Sequence, residues 1–268
     1  MNLIFKILFS ILLKWNLCAE APTDIPFQKK NLVLIISSSQ LPVFNVHRAS
    51  WRKYMHKFST DFECYFIEFD PELDQDYFVD GDILKIRGVE SYIPGIFDKT
   101  VLALSYFEKR FSEFAFIVRP NLSSFIYFPA LKKFLESQKK ERFYSGSRSL
   151  YQNYQNNEGD HLFFGHGSCV VFSKDLAEVL VEKKGQYMQL PYSKFHADDL
   201  LFGKIFKKEG IPLVPFQSFY IEKNIDPYKI YSRIPDDTFH FRIKVSTGED
   251  RLLKEKVIHN KLYEIFYE

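Results

Sequence analysis

Asn31-Leu32-Val33-Leu34-Ile35-Ile36-Ser37 is a short, unbroken apolar run rich in β-branched residues, the pattern of a strand buried on both faces of a parallel sheet. Ser37-Ser38-Ser39 follows at its C-terminal end, the side on which open α/β sheets bind ligands. Downstream, His47 to Phe58 has helical spacing, with Trp51, Met55 and Phe58 on one side and Arg48, Arg52 and Lys53 on the other. Glu63 to Phe69 alternates as a second strand and Ile83 to Ile86 reads as a third. Gly95 to Phe111 reads as a long helix, and Phe114 to Val118 as another buried strand. A β-α-β-β-α-β order predicts an α/β fold of three layers, Rossmann-like, with a mostly parallel central sheet covered on both faces. Such a half is suited to a nucleotide, but no Gly-x-Gly-x-x-Gly and no P-loop occurs, which argues against dinucleotide and ATP chemistry.

The second half carries the chemistry-bearing residues. Arg142 to Gly146 and Phe163 to Phe172 read as strands flanking a polar loop, Tyr151 to Asp160. Gly165-His166-Gly167-Ser168 would let backbone amides approach a ligand closely, or would form a bulge. Ser173 is placed to cap a helix running to about Lys184, with Gly185 as its stop. Ala197-Asp198-Asp199-Leu200 then sets two acids at the start of a helix-periodic run ending near Glu209. A carboxylate there can cap the helix, and paired carboxylates at such a junction can also supply a general base. Thr238 to Lys244 alternates, placing His240, Arg242 and Lys244 on one strand face, either a phosphate-binding face or a solvated edge. From Gly248 onward a charged, aromatic helix reads as a packing tail.

The whole-chain numbers set limits. With 268 residues, 46% apolar and 26% charged, the chain is globular, and 36 Lys and Arg against 34 acids gives no basic field for nucleic acid. Lysine pairs such as Lys132-Lys133 and Lys207-Lys208 read as solvated helix faces. Leu3 to Leu17 is mostly apolar but broken by Lys6 and Lys14, and it ends in Cys18-Ala19-Glu20-Ala21. Residues 1–21 therefore read as a signal peptide or short membrane anchor, with secretory-pathway entry to the ER or Golgi lumen as the expectation. Residues 22–30 read as a proline-bearing linker, and Cys64 and Cys169 as free buried thiols rather than a disulfide framework.

Taken in order, Glu90-Ser91-Tyr92, Lys99-Thr100, Arg119-x-Asn121, Gly165-x-Gly167 before Ser173 to Ala177, and Asp198-Asp199-Leu200 to Gly203 resemble the β-1,3-galactosyltransferase and Fringe-like branch of the GT-A glycosyltransferases. Asp80-Gly81-Asp82 fits the segment preceding that series and is not the metal motif. The resemblance spans about Asn31 to Lys244. It implies a single GT-A domain over residues 31–268, with a nucleotide-binding half at 31–125, an acceptor and catalytic half at 126–247, and a C-terminal helix at 248–268. It implies inverting transfer from a UDP-sugar to a glycan or glycoprotein hydroxyl, with Asp199 as base and Asp198 orienting a substrate hydroxyl or capping the helix. Donor-binding roles would fall on Ser37, Ser38, Arg48, Lys99, Arg119, Asn121, Gly165, Gly167, His240 and Arg242.

One departure stands out. Where the family holds a manganese ion on Asp-x-Asp, this chain has Arg119-Pro120-Asn121, which offers no carboxylate to a hard cation. The expectation is metal-independent transfer, or transfer only weakly dependent on manganese, with the Arg119 guanidinium neutralising diphosphate charge. A carbohydrate-binding protein without turnover is the alternative. A nuclease or phosphatase built on Asp198 and Asp199 ranks last, because no further acids cluster with them. Asn121-Leu122-Ser123 matches a glycosylation sequon, but a place inside the cleft argues against its modification.

Overall fold

A computed structural model describes residues 29–37, 42–152, 161–189, 197–222, 234–245 and 250–268. The leader, most of the linker, Ser38 and residues 153–160 of the polar loop lie outside the described residues. Among the described residues no helix is long and apolar enough to cross a membrane.

The opening run forms β1 (Lys30–Ile36), the centre of an eight-stranded sheet. β2 (Phe62–Asp70) pairs parallel to it on one side and β5 (Phe114–Pro120) on the other. β4 (Ile83–Arg87) runs parallel to β2, and the edge strand β3 (Tyr77–Asp80) folds back antiparallel on β4. Beyond β5 come the antiparallel β8 (His161–Ser173) and β7 (Tyr144–Gln152), then β9 (Leu213–Pro215) parallel to β7. The order β3-β4-β2-β1-β5-β8-β7-β9 gives a mixed α/β sheet with a parallel heart. Because chain connections leave β1 in opposite directions, the crevice between the C-terminal ends of β1 and β5 is a topological switch point, the usual ligand site of such sheets.

Alternation along β1 builds the layers. Leu32, Leu34 and Ile36 pack with α2 (Gly95–Phe107), α4 (Lys174–Glu182) and α6 (Asp198–Lys208) through Phe97, Leu104, Leu180 and Phe202. Val33 and Ile35 face α1 (Pro42–Tyr54), α3 (Phe128–Glu136) and the last helix through Trp51, Tyr54, Leu131 and Leu262. Each such side chain contributes roughly 1.5–3 kcal/mol on burial. A short helix α5 (Lys184–Met188) and the final α7 (Arg251–Tyr267) complete the helices. Beside α3 and α7 lies a second sheet of β10 (Ser218–Ile221), β11 (His240–Ile243) and β6 (Ser124–Ile126).

Several local expectations change. Arg119 to Phe125 reads in the sequence as a polar insertion, but β5 runs on to Pro120, Leu122 to Phe125 are buried, and Ser124–Ile126 form β6. Ser173 does not cap its helix with its side chain; its hydroxyl instead accepts a bond from the Phe143 amide at 3.0 Å. Gly185 is not a stop, since it lies inside α5. The Gly165 to Ser168 stretch lies within β8 but at a register irregularity: between the pairs Gly146–Val170 and Arg148–Gly165 the extra residues fall on β8, so the stretch forms the bulge that its glycines allow.

Candidate active site

Two charged networks and one open cleft meet at the C-terminal ends of β1 and β5. In the first network Arg48, from α1, pairs with Glu68 of β2 and donates to the Ser37 hydroxyl at 3.1 Å. That hydroxyl in turn donates to Glu68 at 2.8 Å. Lys99, buried on α2, donates to the Ser37 carbonyl at 2.8 Å and to both oxygens of Glu90 at 2.7 and 2.6 Å. Burial lowers the Lys99 pKa, and the adjacent Glu90 carboxylate opposes that shift. Thus Ser37, Arg48 and Lys99 do gather at one strand end, but Arg48 is turned into the protein.

The second network decides the fate of the acidic pair. Arg119 projects from β5 toward α2 and α6 and is completely buried. Its Nη2 lies 2.5 Å from Asp198 Oδ2, its Nη1 donates to the Gly167 carbonyl at 2.7 Å, and its Nε reaches Thr100 Oγ1 at 3.4 Å. The Nη2 and Oδ2 atoms make an ion-pair contact without hydrogen-bond alignment. Burial raises the Asp198 pKa, while the Arg119 charge pulls it back. The expectation that Arg119 faces a diphosphate is therefore corrected: its guanidinium is spent on neutralising an acid of its own chain.

Asp199, one residue on, is treated differently. It is partly exposed, its Oδ2 accepts the Gly167 amide at 2.8 Å, and its Oδ1 accepts the Leu200 amide at 2.9 Å. Each carboxylate oxygen carries two lone pairs, so one on each remains for a substrate proton. Neither acid is the N-cap, which is Ala197; both sit in the first turn of α6, where the helix dipole favours negative charge. Gly203 lets α6 lie close against β8, since a Cβ there would stand 2.5 Å from Phe164 Cβ. At Gly167 a Cβ would come to 3.0 Å from Asp199 Oδ2, so that carboxylate would have to shift by a few tenths of an ångström. The amides of Gly165 and Gly167 are both committed internally, to the Tyr144 hydroxyl and to Asp199, so they do not form the ligand cradle the glycines suggest.

Between these networks opens a cleft of about 540 Å³, lined by Ser37 from β1, Asn121 after β5, Glu90, Tyr92 and Lys99, and on the far wall by Arg242, Lys244 and Arg251. Desolvation raises the Tyr92 pKa, and the charges of Asp198 and Asp199 add to it, although neither acid is among the residues that line the cleft. His166 stands in the same region: burial lowers its pKa, Asp199 raises it and Arg242 lowers it. The residue His240 does not face the cleft. It is fully buried between the hydroxyls of Ser218 (2.7 Å) and Ser124 (3.0 Å), and burial pushes its pKa to about 3, so it cannot bring a positive charge to phosphate at neutral pH. The sequence marks Arg242, Lys99 and Asn121 correctly as neighbours, but Glu90, Arg251 and His166 were not singled out as site residues. Arg251 is one basic residue among many in a helix, and only folding brings it here.

The residues do not fit the divalent cation that the resemblance implies. Pro120 and Asn121 supply no carboxylate, Arg119 occupies the acidic partner, and among the described residues no group of three His, Cys, Asp or Glu side chains could hold a metal ion.

With this geometry in hand, the comparisons speak to the fold. No family model and no curated protein sequence matches the chain. Among solved structures, a glycosyltransferase involved in the glycosylation of the major capsid of PBCV-1 superposes with a TM-score of 0.50 at 9% identity, covering 84% of this chain and 98% of that one. Mouse xyloside xylosyltransferase 1 in its apo form gives 0.45 at 10% identity, over 82% of this chain and 99% of that one. The 4-diphosphocytidyl-2C-methyl-D-erythritol synthase of Anaerococcus prevotii gives 0.45 at 12%, over 85% and 97%. The chain has a GT-A-type, Rossmann-like α/β fold.

Proposed function

We propose that the chain transfers a hexose or N-acetylhexosamine from a UDP-sugar to a hydroxyl of a glycan or glycoprotein, with inversion, as an outlying relative of the β-1,3-galactosyltransferase and Fringe-like branch. The observation that carries this reading is Asp199, a partly exposed carboxylate fixed by two backbone amides, with lone pairs to spare, whose charge acts on Tyr92 in the wall of a cation-lined cleft at the sheet's switch point. The acceptor oxygen attacks the anomeric carbon as its proton passes to Asp199. The bond from that carbon to the diphosphate oxygen breaks on the opposite face, and UDP leaves. Arg119 and Asp198 act as positioning residues, holding Gly167 and through it Asp199.

A donor screen by UDP release, with and without chelator, tests the reaction. Asp199→Asn is expected to lose about 10²–10⁴-fold in turnover with UDP affinity nearly unchanged; retained turnover removes Asp199 as the base. One observation favours a sugar-binding protein without turnover, namely the burial of Asp198 against Arg119 where the family places metal chemistry. That reading takes over if glycans bind while no donor is consumed. Entry into the secretory pathway through the apolar leader belongs to the same proposal and is checked by fractionating cells that express the full chain.

A further inference from the structure

The charge of a diphosphate leaving group must be met by something, and neither a metal on Asp-x-Asp nor Arg119 is available to meet it. The far wall of the cleft offers another source. Arg242 and Lys244 stand on and just beyond β11, Arg251 opens α7, and all three line the same cleft as Ser37 and Asn121. The one acidic lining residue among those described is Glu90, whose two oxygens are already bonded to Lys99. Arg242 Nη1 is buried and has no hydrogen-bond partner among the described residues. Leaving a guanidinium nitrogen in that state is costly unless a ligand completes it.

Arg251 is not a loose surface side chain. Its Nε donates to Glu255 Oε1 at 3.0 Å, and the other oxygen of that fully buried glutamate meets His47 Nε2 at 2.7 Å. A buried acid on α7 and a buried histidine on α1 thus fix the arginine at the cleft. We propose that Arg242, Lys244 and Arg251 form a diphosphate clamp that supplies the charge neutralisation a metal ion provides in the resembling family, making α7 part of the donor site rather than a packing tail. The inference rests on the donor-site reading above. Forked guanidinium groups suit phosphate oxygens through paired, charge-assisted hydrogen bonds.

Calorimetric titration in excess chelator tests the clamp, with inorganic pyrophosphate and UDP as separate probes. Wild type is expected to bind both without metal. Arg242→Gln and Arg251→Gln are each expected to lose roughly 10–100-fold in affinity for both probes, with binding more salt-sensitive in wild type than in either variant. Lys261→Gln, on the same helix but paired outward with Glu264, serves as the control and is expected to bind as wild type. Thermal melts confirm that each variant is folded. The clamp is overturned if wild type binds pyrophosphate only when manganese is added or not at all, or if both arginine variants bind it like wild type. If pyrophosphate binding is lost in the variants but wild type binds no UDP with or without metal, the clamp stands and the UDP-sugar reading falls.

Discussion

Two arginines of this chain lie within one site and have opposite surroundings. Arg119 is committed within the protein: its Nη1 and Nε hydrogen-bond to a carbonyl and a hydroxyl, its Nη2 meets the Asp198 carboxylate in an ion-pair contact without hydrogen-bond alignment, and it is completely buried. Arg242 lines an open cleft with one buried nitrogen unmet. The contrast separates charge used to build from charge kept for binding, a distinction that residue type alone never shows. It also divides the acids, since Asp198 belongs with the first arginine while Asp199, partly exposed, is held only by backbone amides and is the base of the proposed reaction.

The largest expected effect comes from breaking the committed side. Arg119→Ala leaves Asp198 buried without its partner and is expected to cost about 3–5 kcal/mol in chemical denaturation. A loss below 1 kcal/mol, accompanied by weaker anion binding, would erase the contrast. Next in size is Gly167→Ala, whose added methyl would press on Asp199 at 3.0 Å. On the proposed mechanism, steady-state kinetics should show kcat reduced by up to about 10²-fold, with KM for the donor changing far less, because Asp199 is displaced and the cleft is not.

A pH titration of stability follows. His240 has a folded pKa of about 3 against an ordinary value of 6.5, and His47 and His259 are shifted the same way, all by burial first. Between those values the unfolded chain binds more protons, so this stability is complete above about pH 6.5 and drains away as pH falls toward 3. Asp198, raised by burial, works in the opposite sense. Both ring nitrogens of His259 are buried without hydrogen-bond partners, so His259→Phe should flatten the acid limb of the melting-temperature profile; an unchanged slope would exclude that histidine as a contributor. The smallest effect sharpens the comparison most. Arg242→Met should leave stability within about 1 kcal/mol of wild type, or improve it, since an unmet buried donor is removed. A drop as large as that of Arg119→Ala would show that both arginines are structural.

The sheet was largely legible because β1, β2, β4 and β5 are continuous or alternating apolar runs. β6, β9 and β10 escaped because three or four residues hold too little periodicity to register, and their partners lie far along the chain. Ser123 and Ser124 made β6 look like a loop, yet the Ser124 hydroxyl is satisfied inside by the Ser168 carbonyl at 3.1 Å and by His240. At the site, the sequence singled out Arg242, which lines the cleft, and Asp199, which two backbone amides hold, but not the direction in which Arg119 points. A charge in a sequence carries no record of its partner, and here the partner of a strand arginine arrives on a helix far along the chain.

Tyr267, near the end of α7, has a role in the order of assembly. Its hydroxyl accepts the Phe128 amide at 3.0 Å and donates to the Ile126 carbonyl at 2.8 Å, and its ring stacks on Tyr54. Ile126 precedes it by 141 residues. At roughly 5–20 residues per second of synthesis, the β6 to α3 junction waits on the order of 10–30 s before its backbone is satisfied. Through that interval the aromatic floor beneath α1 lacks its last ring, and transiently exposed apolar surface of this kind is where a growing chain is prone to associate wrongly.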